Sequence, residues 1–229
     1  MCGFAGFVGE VENREQVLEN MIDTIIHRGP DSSGKFVDED AALGFRRLSI
    51  IDLSESGDQP LYNEDRSKVL VFNGEIYNYQ ELREELIQAG HTFVSNTDSE
   101  TLIHGYEQWG EELVYRLRGM YAFAIWDQKA KRLFSARDIF GIKPLYYAQM
   151  NGTLMFGSEI KSFLEHPKFD KVFNEDALGN YLSFQFVPTN ETFFKGVFCV
   201  QPGHYFVYEN GKMTIKRYFE PNFTGDTTK

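Results

Sequence analysis

The sequence predicts an α+β domain on two observations. Short runs rich in aromatic and β-branched residues recur along most of the chain, and four segments repeat apolar residues at helical spacing. Strand-like runs fall at residues 4–8, 43–51, 69–73, 121–126, 133–136, 144–150 and 154–156. Asn151-Gly152 joins two of these as a hairpin, and Asn210-Gly211 joins residues 204–209 to 212–219, because Asn-Gly supplies the positive φ angles of a tight turn. The first helix carries Val17, Leu18, Met21, Ile22, Ile25 and Ile26 on one face, with Asn13 and Gln16 spaced as a capping box and Gly29-Pro30 as a stop. Asn78 with Glu81 opens a second through Leu82, Leu86 and Ile87 to Gly90. Thr97 or Asp98 opens a third through Leu102, Ile103 and Tyr106, and Asn174 a fourth through Leu178 and Leu182. Antiparallel strands plus helices that need a sheet to cover imply helices layered on sheets.

No Pro/Ser/Gly-rich linker, charge block or repeat interrupts the 229 residues, which reads as one domain over 1–219 with a polar tail or linker over 220–229. A net charge of −11 argues against a nucleic-acid surface, and 42% hydrophobic residues suit a large core. Two cysteines, Cys2 and Cys199, give no disulfide framework, and neither they nor the five histidines have metal-ligand spacing, so no metal is expected. The longest apolar run, 121–126, is far too short to span a bilayer, and no signal-like segment opens the chain, so a cytoplasmic protein without membrane contact is expected.

Cysteine directly after the initiator Met is the first singular feature. Removal of Met1 would leave Cys2 with both a thiol and a free α-amine, and that amine, titrating at about 7.7–8.0, can accept the thiol proton. Nucleophile and base then reside in one residue. On its own the position reads equally as a small apolar residue opening a buried strand. Asn73-Gly74 offers two neutral donors for a developing oxyanion, or simply another hairpin turn. Arg46-Arg47 reads as a solvated strand edge and Asp98 as a helix cap. Cys199 reads as a packed residue.

Residues 1–9, with glycine at positions 3, 6 and 9, resemble the start of class II glutamine amidotransferases, whose terminal cysteine attacks the glutamine side-chain amide. The resemblance continues through His27-Arg28-Gly29-Pro30-Asp31 and residues 46–52, 72–78, 97–100, 117–123 and 136–147, in the order of the glutaminase domain of asparagine synthetase B. It spans nearly the whole chain and implies a four-layer αββα sandwich of the N-terminal-nucleophile hydrolase type. It also implies a catalytic set of Cys2, Asn73 and Gly74. The implied substrate contacts are Arg47 for the α-carboxylate, Asp98 for the α-ammonium, and Leu48, Ile50, Ile51, Glu75 and Thr97 around the same pocket. The expected activity is hydrolysis of L-glutamine to glutamate and ammonia. No cofactor is expected in this chain, ATP and Mg²⁺ belonging to a C-terminal synthetase domain that makes asparagine. That domain and L-glutamine are the expected partners, with a homodimer left open. A glutamine-sensing module, or ammonia supply to a β-lactam-forming or sugar-modifying synthetase, stands as the alternative.

Overall fold

The computed structural model describes residues 2–48 and 57–222. Two six-stranded antiparallel sheets face each other. The first has the order β10-β8-β9-β1-β3-β2, with β1 Gly3–Val8, β2 Ser32–Val37, β3 Ala41–Arg47, β8 Tyr146–Met150, β9 Thr153–Gly157 and β10 Val197–Cys199. The second has the order β12-β11-β7-β6-β5-β4, with β4 Leu61–Tyr62, β5 Lys68–Ile76, β6 Gly119–Asp127, β7 Arg132–Arg137, β11 His204–Glu209 and β12 Lys212–Arg217. Helix α1 (Arg14–Asp23) covers the outer face of the first sheet; α2 (Tyr79–Gln88) and α3 (Asp98–Trp109) cover that of the second.

Strand parity explains the layering. In β1, Phe4 and Val8 enter the core between the sheets, whereas Ala5 and Phe7 pack outward on Leu18, Met21 and Ile22 of α1. In β5, Val69 and Val71 face the seam and Leu70 and Phe72 face α3. In β6, Ala122, Ala124 and Trp126 face inward and Tyr121, Phe123 and Ile125 outward. Both faces of each sheet are covered, so the central strands read as continuous apolar runs instead of alternating ones. The result is the αββα sandwich. Helix α1 lies so close to β3 that a Cβ on Gly44 would meet Ile22 Cγ2 at 2.5 Å.

Both Asn-Gly hairpins form, with φ of 49° and 75° at Asn151 and Gly152 and 53° and 75° at Asn210 and Gly211. Several local expectations fail, through a competing hydrogen bond at the caps and through exposure along the helix faces. Asn13 takes φ 51° and makes no cap bond, while Gln16 bonds Asn20, so the capping box does not form. Helix α1 ends at Asp23, and Ile26, in the following 3₁₀ turn, is 50% exposed. Asn78 does not cap α2; its amide reaches across to Arg116 O and accepts from Arg118 N. Ile87 is exposed. Helix α4 (Glu175–Phe184) forms, yet among its residues only Ala177 is buried, and Leu178 and Leu182 face out. No helix among the described residues is long and apolar enough to cross a membrane.

Candidate active site

The alternation that builds the core also aims the site. Cys2 precedes β1 in phase with Phe4, and it packs against the inter-sheet core from the first sheet. Arg47 ends β3 in phase with Leu43 and Phe45 and is 8% exposed. Asn73 lies in β5 in phase with Val69 and Val71 and is 2% exposed. All three therefore border one seam, where they line a cavity of about 410 Å³ together with Leu48, Gly74, Glu75, Thr97 and Asp98. Ile50 and Ile51 lie outside the described residues.

Cys2 Sγ accepts the Leu48 backbone N–H at 3.3 Å. The β1–β3 register, with Gly3 opposite Arg46, brings that peptide to the sulfur. From the other side Arg28 donates through Nε to Cys2 O at 3.0 Å and through Nη1 to Glu159 Oε1 at 3.0 Å. Gly3 makes room for this: a Cβ there would meet Arg28 Cδ at 2.7 Å. In the sequence Arg28 has no signal of this role beyond its place in the motif at residues 27–31.

Asn73-Gly74 is no turn. Asn73 pairs with Ala122 and Gly74 with Tyr121 in the middle of the β5–β6 ladder. A Cβ on Gly74 would lie 2.2 Å from Met120 O and 2.7 Å from Tyr121 Cα, so the close strand approach admits only glycine. Asn73 Nδ2 is fully buried and has no hydrogen-bond partner among the described residues. A buried unpaired donor is costly, and this one borders the cavity that holds the Cys2 sulfur. The neighbouring backbone is fixed by Gln59, whose side-chain oxygen accepts Phe72 N at 2.6 Å and whose Nε2 donates to Phe72 O at 3.2 Å.

The cavity carries opposite charges. Arg47 Nη1 donates to Asp58 Oδ1 at 2.8 Å, so the guanidinium holds one carboxylate at the cavity wall. Asp98 opens α3, and its Oδ2 accepts Ile76 N at 2.8 Å, tying the helix start to the end of β5. Burial raises the Asp98 pKa, its backbone donors oppose this, and nearby Glu75 adds to the rise. Thr97 occupies the cap position without a cap bond; its hydroxyl instead meets those of Ser95 and Ser99 at 2.8 and 3.0 Å.

Behind this wall, Glu100 accepts Val94 N and Ser95 N, both at 2.7 Å. His104, 2% exposed, stands between Glu100 and Glu107, at 3.6 and 3.2 Å. Burial opposes its charge, but these carboxylates hold its pKa up to about 9. Folding also brings ligand atoms of Glu64, His91 and His104 within 4.8 Å of one another, a juxtaposition with no signature in sequence spacing. Cys199 is half-buried in β10, away from Cys2's cavity, and takes a hydrogen bond from Arg137.

The family model described as "Glutamine amidotransferase domain" matches residues 1–219. Asparagine synthetase [glutamine-hydrolyzing] 1 of Bacillus subtilis (strain 168) is 46% identical over 229 residues, covering 97% of this chain and 36% of the relative. Amidase chry2 of Gibberella zeae is 36% identical over 221 residues, covering 90% of this chain and 32% of that protein. Among solved structures, the glutamine phosphoribosylpyrophosphate amidotransferase of B. subtilis superposes with a TM-score of 0.71 at 21% identity, covering 96% of this chain and 50% of that one, which shows the shared fold. The chain thus spans about a third of the length of the curated relatives it matches. With the family model matched over residues 1–219 and two facing antiparallel sheets built from that same span, the chain belongs to the glutamine amidotransferase domain family.

Proposed function

We propose that this chain hydrolyses L-glutamine to glutamate and ammonia through a γ-glutamyl thioester on Cys2. The observation that carries this reading is the pairing, across one cavity, of the Cys2 sulfur with an Asn73 amide donor that has no partner among the described residues. In this mechanism the Cys2 α-amine, freed by loss of Met1, takes the thiol proton, and the sulfur bonds to the amide carbon. Asn73 Nδ2 and the Gly74 N–H receive the oxyanion. The α-ammonium returns its proton as the C–N bond breaks, and ammonia leaves. Water, activated by the same amine, then cleaves the thioester. Arg47 and Asp98 hold groups whose charge stays constant throughout, so they serve capture more than turnover. The similarity to asparagine synthetases favours ammonia delivery to a C-terminal synthetase domain that uses ATP and Mg²⁺ on aspartate; the similarity to a fungal amidase keeps other acceptors in view. No step in this chain is routed through nucleotide or metal.

Ammonia release from glutamine, without ATP or aspartate, is the test. Protein beginning at Cys2 should release ammonia and form one covalent adduct with a glutamine-like electrophile, and Cys2→Ala should do neither while still binding glutamine. A folded, Met1-free sample with no turnover and no adduct would refute the reading and favour a glutamine sensor.

A further inference from the structure

Lys143 lines the same cavity as Cys2, is 6% exposed, and its ammonium has no hydrogen-bond or ion-pair partner among the described residues. Its ammonium is turned to the cavity and is not sealed in the protein. The loop that carries it is built to aim it. Asp138, wholly buried, accepts the backbone N–H groups of Phe140 at 3.1 Å, Ile142 at 3.0 Å and Lys143 at 3.0 Å. Arg137 grips the loop from its other side, donating through Nε to Lys143 O and through Nη2 to Gly141 O, both at 2.7 Å. Gly141, at φ 65°, permits the bend. Asp138 N donates to Tyr121 O at 2.9 Å, which fastens the whole loop to the strand facing Gly74. Both backbone polar groups of Lys143 are therefore held, and the side chain is left to the cavity.

A countercharge for Asp138 does not account for this, because that carboxylate is already satisfied by backbone donors and forms no ion pair with Lys143. Burial lowers the Lys143 pKa and Arg28 lowers it further, while Asp138, Cys2 and Glu75 favour its charge. Of these groups Cys2 and Glu75 line the cavity with Lys143, as do Arg47 and Asp98, and the thiol there is that of Cys2.

Resting on the glutaminase reading above, we propose that the fixed positive charge of Lys143 acts across the cavity to stabilise the Cys2 thiolate and the oxyanion formed from it. It transfers no proton; the thiol proton goes to the α-amine as described. Its charge is fixed before substrate arrives, so it acts on the charge-separated states and not on glutamine capture.

The test uses Met1-free protein with Lys143→Met, Lys143→Gln and Lys143→Arg. Iodoacetamide alkylation of Cys2 is followed against pH, and glutamine turnover is measured in parallel. In the Met and Gln variants the alkylation midpoint should move up by about one pH unit, a modest shift for loss of one nearby charge. Their kcat should fall about tenfold with KM changed by less than about twofold. Arginine should restore both. A folded Met or Gln variant with an unmoved midpoint overturns the proposal even if kcat falls, since a merely structural lysine would lower turnover without changing thiol reactivity. An arginine variant that behaves like methionine overturns it as well. Alkylation does not require glutamine, so a wild-type protein that lacks turnover refutes the glutaminase reading while the midpoint shift still judges Lys143.

Discussion

Asn73→Ala separates catalysis from stability in a way the structure makes quantitative. Loss of one oxyanion donor costs about 10²–10³ in kcat, or about 2.7–4 kcal/mol. That loss should fall on kcat alone, because Asn73 Nδ2 has no partner among the described residues and, in the proposed mechanism, gains one when the oxyanion forms. The same isolation predicts the stability effect. A buried, unsatisfied donor costs about 1–3 kcal/mol, and alanine removes that cost while giving up the packing of a side chain that is 2% exposed. The two contributions oppose, so Tm should stay level or rise by a few degrees, at about 2–4 °C per kcal/mol for a domain of this size. Steady-state ammonia release gives kcat and KM, and a thermal melt of the same preparation gives Tm. A kcat within about threefold of wild type would remove Asn73 from the oxyanion role. A KM increase with kcat intact would make it a ground-state contact. A large fall in Tm would show that its amide has a stabilising partner.

Asp58 competes for Arg47. The pair is half open to solvent on the Asp58 side, so it is worth at most about 1 kcal/mol, and Asp58→Asn should lower the glutamine KM by about two- to fivefold without changing kcat. A raised KM would mean that Asp58 orients the guanidinium instead. His104 has its pKa raised in the folded state, so its contribution to stability is complete below about 6.5, its unfolded value, and is lost as pH rises towards about 9. Urea melts across that window should show falling stability in wild type and a flatter profile in His104→Gln; parallel profiles would place the proton elsewhere.

The sequence alone determined the inventory: the central strands, the two Asn-Gly hairpins, the four helices, the family, and Cys2, Arg47, Leu48, Asn73, Gly74, Glu75, Thr97 and Asp98 among the residues that line the cavity. These are short-range signals, carried by periodicity, by turn chemistry or by motifs whose spacing is fixed along the chain. Tertiary structure decided how those pieces meet. Asn73-Gly74 reads locally as a turn and becomes mid-strand because β6 pairs along the whole of β5. Asn13 and Asn78 read as caps, but neither side chain caps its helix; that of Asn78 is taken by Arg116 and Arg118. Leu178 and Leu182 share a helical stripe, yet no sheet lies over them. Arg28 and Lys143 had no legible role, since each depends on elements far apart in sequence; His104 has Glu100 and Glu107 beside it on one helix, and only its meeting with Glu64 and His91 is long-range. What joins Cys2 from one sheet to Asn73 from the other is the parity of two strands across a common core, and that phase is set only when the sheets pack.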